Sequence, residues 1–224
     1  MILAIDTSTD EAGIAIVSAG EVLAEMNWRS RGNHSRQIRG AVEQLLTLVN
    51  TRLDEISKLA VAVGPGSFSG IRVGMSFVEG LALGLGAPLV GISTLDVLGF
   101  QASALGSYVW SVLPAGRDQV YTSRYTGGDG NWRRVADYAV MDVPDIAAKY
   151  ASGELLIGGA AETVAAAVRA RGLGAQVVPA GWQVRRAAFL GLLAMRETES
   201  GGPIRPLYLR RSAAEEKRIG EKGA

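Results

Sequence analysis

Asp6, Thr7 and Ser8 close the first apolar run of the chain, and the segment Gly64-Pro65-Gly66-Ser67-Phe68-Ser69-Gly70 closes a later one. An acid beside two hydroxyls at a strand end can hold magnesium and phosphate, and a glycine loop opening a helix can cradle phosphate with its amides. The glycine segment nevertheless fits neither common phosphate signature. A P-loop needs Gly, four residues, Gly, Lys and a hydroxyl residue; here Ser69 stands five residues after Gly64, Ile71 five after Gly66, and 61–74 contains no lysine. A dinucleotide fingerprint needs glycine at its first, third and sixth positions, and the sixth is Ser69, with Gly70 one residue late. For Asp6, Thr7 and Ser8 the favoured reading is a turn whose side chains bond their own backbone. Gly158 and Gly159 could line a nucleoside pocket, but backbone geometry alone explains a glycine pair between a strand and a helix.

The remaining candidates for chemistry are few. The chain has one histidine, His34, and no cysteine, which removes disulfides, thiolate catalysis, sulfur-ligated zinc and the two-histidine zinc helix. His34 as a metal ligand or general base competes with a capping or interface role. Ser67 and Ser69 have no base near them in sequence, so a nucleophile reading is weak. Arg39 and Arg72 could bind phosphate, or pair with carboxylates and cover apolar area. With 23 basic and 22 acidic residues the net charge is +1, so tight nucleic-acid binding has no global electrostatic basis.

The elements that must position these residues follow from periodicity. The 224 residues are 48% hydrophobic and 20% charged, enough for one domain or two compact halves. Alternation predicts three strands near 2–6, 13–17 and 22–28, then a helix over 35–51 whose Ile38, Val42, Leu45, Leu46 and Val49 share one face. A buried strand at 59–63 leads through the glycine loop into a helix over 71–86, followed by a strand at 89–92 and a helix capped by Ser93 and Thr94. From Tyr108 the order repeats: strands at 108–113, 119–125 and 132–140 with a turn at 127–130, a short helix after Pro144, a strand at 155–157 and helices over 161–170 and 185–198. Three antiparallel strands, helix, strand and helix, given twice, predict a duplicated actin-like α/β fold. The short apolar N-terminus lacks the basic leader of a signal peptide, and Glu79, Pro88 and four glycines argue against a membrane span over 75–92.

The helix over 71–86 is apolar around most of its circumference, more than one buried face explains. Gly70 and Gly74, then Gly80 and Gly84, lie at four-residue steps and offer tracks for a second helix; Phe77, Leu81 and Leu85 form a ridge between them. That pattern predicts a partner-facing helix, with Gly74→Leu or Gly80→Leu expected to disrupt association.

Taken together, Ile5-Asp6-Thr7-Ser8, His34-Ser35, the segment Gly64 to Gly74, Gly91-Ile92-Ser93-Thr94-Leu95, Val120-Tyr121 and Pro206-Leu207-Tyr208-Leu209-Arg210 resemble the TsaB (YeaZ) family across most of the chain. The resemblance implies an actin-like ATPase (ASKHA, ribonuclease H-like) fold with a shortened second half: an N-terminal lobe 1–104, a smaller C-terminal lobe 105–211 and a charged, flexible tail 212–224. It implies a cytoplasmic, non-catalytic dimerisation subunit that binds and activates TsaD, with TsaE, for threonylcarbamoyl transfer to adenosine 37 of tRNA. ATP or ADP and metal are then expected in the partner subunits, with none of its own here, no membrane, tRNA met only through the complex, and a homodimer through the same helices when alone. The implied interface comprises His34, Ile38, Val42, Gly70, Arg72, Gly74, Phe77, Leu81 and Gly84. TsaD carries a helix-borne His-x-x-x-His metal motif, whereas here His34 is followed four residues on by Ile38. Many relatives read Asp-Ala-Arg where this chain has Pro114-Ala115-Gly116, which weakens a nucleotide site at Asp6, Thr7, Ser8, Gly158 and Gly159. Two rival readings are a small-molecule kinase or ATP-binding protein of the same fold, and a glycoprotease-like peptidase.

Overall fold

Strand β1 (Ile2–Asp6) sets the plan of the molecule, because its side chains alternate in direction and serve two cores. Leu3 and Ile5 enter one apolar cluster, Ile2 and Ala4 another on the opposite face. The computed structural model describes residues 1–128, 132–197 and 203–210. The expected tail 212–224, the turn residues 129 and 130 and the end of the last predicted helix fall outside these residues.

Around β1 stand β2 (Glu11–Ser18), β3 (Glu21–Arg29), β4 (Lys58–Ala62) and β5 (Leu89–Ile92), in the order β3-β2-β1-β4-β5. The first three are antiparallel; β4 and β5 run parallel to β1. On the face of Leu3 and Ile5 lie α1 (His34–Leu48), which buries Ile38, Ala41, Val42, Leu45 and Leu46, and α2 (Phe68–Leu85). Helix α2 starts three residues earlier than periodicity suggests because Ser67 caps it, accepting from the Gly70 amide at 3.2 Å; Gly86, at φ 62°, ends it.

The second sheet repeats the pattern. Strands β6 (Tyr108–Gly116), β7 (Gln119–Thr126), β8 (Arg133–Arg134), β9 (Ala139–Asp142), β10 (Leu155–Ile157) and β11 (Gln176–Val177) run in the order β11-β10-β6-β7-β8, with β9 also paired to β7. Here β6 stands where β1 does: antiparallel to β7 and parallel to β10, which is in turn parallel to β11. The single strand expected over 132–140 is two short pieces. Helices α4 (Val143–Lys149) and α5 (Ala161–Ala170) cover its outer face.

The middle layer interlocks the halves. Helix α3 (Thr94–Ala102), capped by Ser93 as expected, follows the first sheet in sequence but places Leu95, Leu98 and Ala102 against Val109, Leu113 and Tyr125 of the second. Conversely α7 (Ala187–Ala194), reached through the single turn α6 (Ala180–Gln183), covers the first sheet. The small residues Ala4, Ala15, Ala60 and Ala62 admit it, and at Gly191 an added Cβ would meet Val17 and Ala4. Residues 203–210 also return to the first half: the Leu207 amide donates to the Val63 carbonyl at 2.8 Å. A lobe 105–211 is therefore a unit of chain order; by packing, α7, Ile204 and Leu207 lie with the first sheet, while Arg210 bonds the Ala115 carbonyl of β6.

Candidate functional site

The β1–β2 turn stands where parallel strands β1 and β4 end, the position at which α/β sheets place ligands. Asp6 folds the turn onto itself. The Ser8 amide and hydroxyl both donate to Asp6 Oδ1, at 2.8 and 2.7 Å, and Thr94 Oγ1 donates to Ser8 Oγ at 2.9 Å. Asp6, Thr7 and Ser8 are all buried, which is the turn role expected for them.

The glycine loop is fitted against this turn. An added Cβ at Gly66 would fall on the Ser8 carbonyl oxygen, at Gly70 on the Thr7 carbonyl oxygen, and at Gly74 on Thr7 Oγ1. The Ser67 amide donates to the Ser8 carbonyl at 2.7 Å, and Thr7 Oγ1 donates to the Gly70 carbonyl at 2.7 Å. Glycines at 66, 70 and 74 thus let the start of α2 lie on the turn, with the Ser67 and Gly70 amides and the Thr7 hydroxyl bonded within the chain.

A cleft of about 520 Å³ opens between the sheets, lined by Thr9, Glu11, Arg29, Gly158, Gly159 and Arg185 among others. Its potential phosphate donors are partly committed. The Gly158 amide donates to Gln183 Oε1 at 2.9 Å, and a Cβ at Gly158, where φ is 110°, would fall on the Val112 carbonyl. At the floor of the cleft Arg185 forks onto Asp6: both side chains are almost wholly buried, and Nη2 lies 3.1 Å from Oδ1 while Nε bonds Oδ2. Nothing in the sequence pointed to this pair, since an arginine 179 residues away carries no periodic or motif signal.

The implied partner surface divides in two. His34, Ile38 and Val42 are buried at 5%, 2% and 3% exposure, and Gly70 and Gly74 are buried against the turn, so these five belong to the interior of the chain. The error has one cause: a four-residue step identifies a helix face without saying what covers it. Arg72, Gly80 and Gly84 are exposed, and Phe77 and Leu81 half-buried. Arg72 lies 3.9 Å over the Phe68 ring and donates to the Tyr208 hydroxyl at 3.2 Å, while Phe68 and Tyr208 stack at 4.8 Å. Arg39 pairs with Glu43 at 2.8 Å. Of eighteen residues in α2 only Gly70, Ile71, Gly74, Met75 and Val78 are buried, and Leu83 is 87% exposed. By length and composition alone α2 is apolar enough to cross a membrane, a test that core helices also pass; the stretch read from the sequence, 75–92, is a different one that includes Pro88.

His34 opens α1 with Nδ1 unpartnered, near the charges of Asp6, Asp10 and Arg185. Burial, opposed by the Thr9 backbone, holds its pKa below the ordinary 6.5. No cluster of three or more histidine, cysteine, aspartate or glutamate residues is placed for a metal among the described residues.

The repeated strand order and the cleft between the halves define a duplicated actin-like ATPase fold. The same architecture is seen in the activator of a 2-hydroxyisocaproyl-CoA dehydratase from Clostridium difficile with bound ADPNP, at TM-score 0.51 and 12% identity over 100% of this chain and 97% of that one. A Pseudomonas aeruginosa protein described as similar to the peptidase YEAZ superposes more closely, at TM-score 0.79 and 24% identity over 93% of this chain and 99% of that one. The family model of TsaD, the tRNA N6-adenosine threonylcarbamoyltransferase, matches residues 22–198. The tRNA threonylcarbamoyladenosine biosynthesis protein TsaB of Bacillus subtilis is 36% identical over 141 residues, a stretch covering 62% of each chain. The chain belongs to this threonylcarbamoyltransferase-related family and, within it, to its TsaB (YeaZ) members.

Proposed function

We propose that this protein is a non-catalytic subunit of the machinery that makes threonylcarbamoyladenosine in tRNA, binding and activating a TsaD-type transferase through the outer face of α2. The observation that carries the reading is that α2 fully buries only Gly70, Ile71, Gly74, Met75 and Val78 within its own chain, leaving Phe77, Leu81 and Leu85 half-covered and Leu83 87% exposed. A leucine this exposed, beside half-covered apolar side chains, is stabilised by a partner that covers it. Gly80 and Gly84, with no atom within 4 Å of an added Cβ, leave a shallow track beside Leu83 along which a second helix can approach closely. The same face serves a homodimer when the partner is absent.

Catalysis is assigned to the partner because this chain offers no second imidazole beside His34, and Ser67 is occupied as a helix cap. ATP or ADP and metal belong to TsaD and to TsaE, tRNA is met through the complex, and the site of action is the cytoplasm. Purified protein should modify no tRNA alone but restore threonylcarbamoyl transfer to adenosine 37 when added to TsaD, TsaE and threonylcarbamoyl adenylate. Full activity of those components without it would sink the proposal. Calorimetric titration with Mg-ATP separates the kinase reading, which requires binding by the isolated chain.

A further inference from the structure

Four oxygen contacts converge on the Arg185 guanidinium, and all come from the β1–β2 turn. Asp6 Oδ2 accepts from Nε; Asp6 Oδ1 and Thr9 Oγ1 accept from Nη2 at 3.1 and 3.0 Å, and the Glu11 carbonyl stands 3.5 Å from Nη2. Carboxylate, hydroxyl and carbonyl oxygens gathered in this way are the donor set of a hard cation. Here the cation arrives on the chain itself, in the segment that links the second sheet to α7. That segment is fastened on both sides. Gln101 Nε2 donates to the Trp182 and Val184 carbonyls at 2.6 and 2.8 Å, Gln101 Oε1 accepts from the Arg186 amide at 3.0 Å, and Gln183 joins Gly158 to the Val178 carbonyl.

We propose that Arg185 is a tethered cation that completes the oxygen nest of the β1–β2 turn and, through the turn, sets the position of α2. The path is continuous. Arg185 fixes the Asp6 carboxylate, Asp6 Oδ1 holds the amide and hydroxyl of Ser8, the Ser8 carbonyl holds the Ser67 cap, and Thr7 bonds the Gly70 carbonyl in the first turn of α2. At the cleft floor the forked guanidinium satisfies both oxygens of a buried carboxylate. Arg185 is a positioning residue, and the proposal concerns this chain alone, so it stands whether or not the transferase-subunit reading does.

The test compares Arg185→Met, Asp6→Asn and the double variant by thermal unfolding and by backbone amide NMR of the full chain. Arg185→Met strands the Asp6 carboxylate and should lower the Tm on the order of 10 °C, with the double variant more stable than that single one. Millimolar methylguanidinium should raise the Tm of Arg185→Met and return the shifted Gly66 and Gly70 amide resonances toward their wild-type positions, while leaving the wild type unchanged. Should Arg185→Met fail to fold, Arg185→Lys, which keeps the charge but loses the fork, is expected to fold with displaced Gly66 and Gly70 resonances. Strictly additive single variants, methylguanidinium acting equally on wild type and variant, or Gly66 and Gly70 resonances unmoved in the folded variant would each overturn the proposal.

Discussion

A single imidazole makes one residue's titration separable from every other near neutrality. Burial disfavours the charged form of His34 and lowers its pKa, so the folded state binds that proton less readily than the unfolded one. Its contribution to stability is therefore complete above about pH 6.5 and declines as pH falls below that value toward the lowered folded pKa. Denaturant unfolding from pH 7 to pH 5 should show stability falling with pH, and His34→Gln should flatten that slope. An unchanged slope would mean that other groups set it. Nothing local in the sequence marks this environment: a histidine at a helix start looks the same whether the helix end faces solvent or a closed turn.

At the scale of the element, the glycines of α2 separate into two kinds that spacing cannot distinguish. Gly74 faces Thr7 and Val61, so Gly74→Leu is expected to destabilise the fold by about 3 kcal/mol, and loss of binding in that variant would report unfolding. Leu83 is exposed, so Leu83→Glu should leave stability within about 0.5 kcal/mol while abolishing association with TsaD or with a second copy. Circular dichroism melting beside sedimentation or complex mass distinguishes the two outcomes. A Leu83→Glu variant that associates normally would exclude this face as the contact. Helix existence and apolar character were legible because both depend on residues a few positions apart. Which side of α2 is covered depends on Thr7, on the far side of the sheet sequence, and no local period encodes it.

For the whole molecule, the interlocked middle layer forbids treating the halves as independent. Helix α7 supplies the cover for Ile2, Ala4, Ala15, Val17, Ala60 and Ala62, and α3 supplies part of the second sheet's core. Residues 1–104 expressed alone would leave one face of the first sheet bare and should aggregate or bind hydrophobic dyes, whereas the full chain melts in one transition. A fragment that is monomeric and shows protected sheet amides in hydrogen exchange would contradict that view. The duplication itself was readable, because each half repeats the same run of strand and helix periods. The division of labour between them was not, because α3 and α7 each cross to the other sheet.

By itself the sequence determined the element order of the first half, the duplicated fold, the glycine loop's failure as a phosphate loop and the family to which the chain belongs. These rest on residue identity and short-range spacing, which a linear chain records directly. Only the tertiary structure decided that Gly66, Gly70 and Gly74 seat α2 on the Asp6 turn, that Ile38 and Val42 are core, and that Arg185 closes the cleft floor. Those facts are contacts between segments far apart in the chain, set by how layers stack and by which buried charge must find a partner.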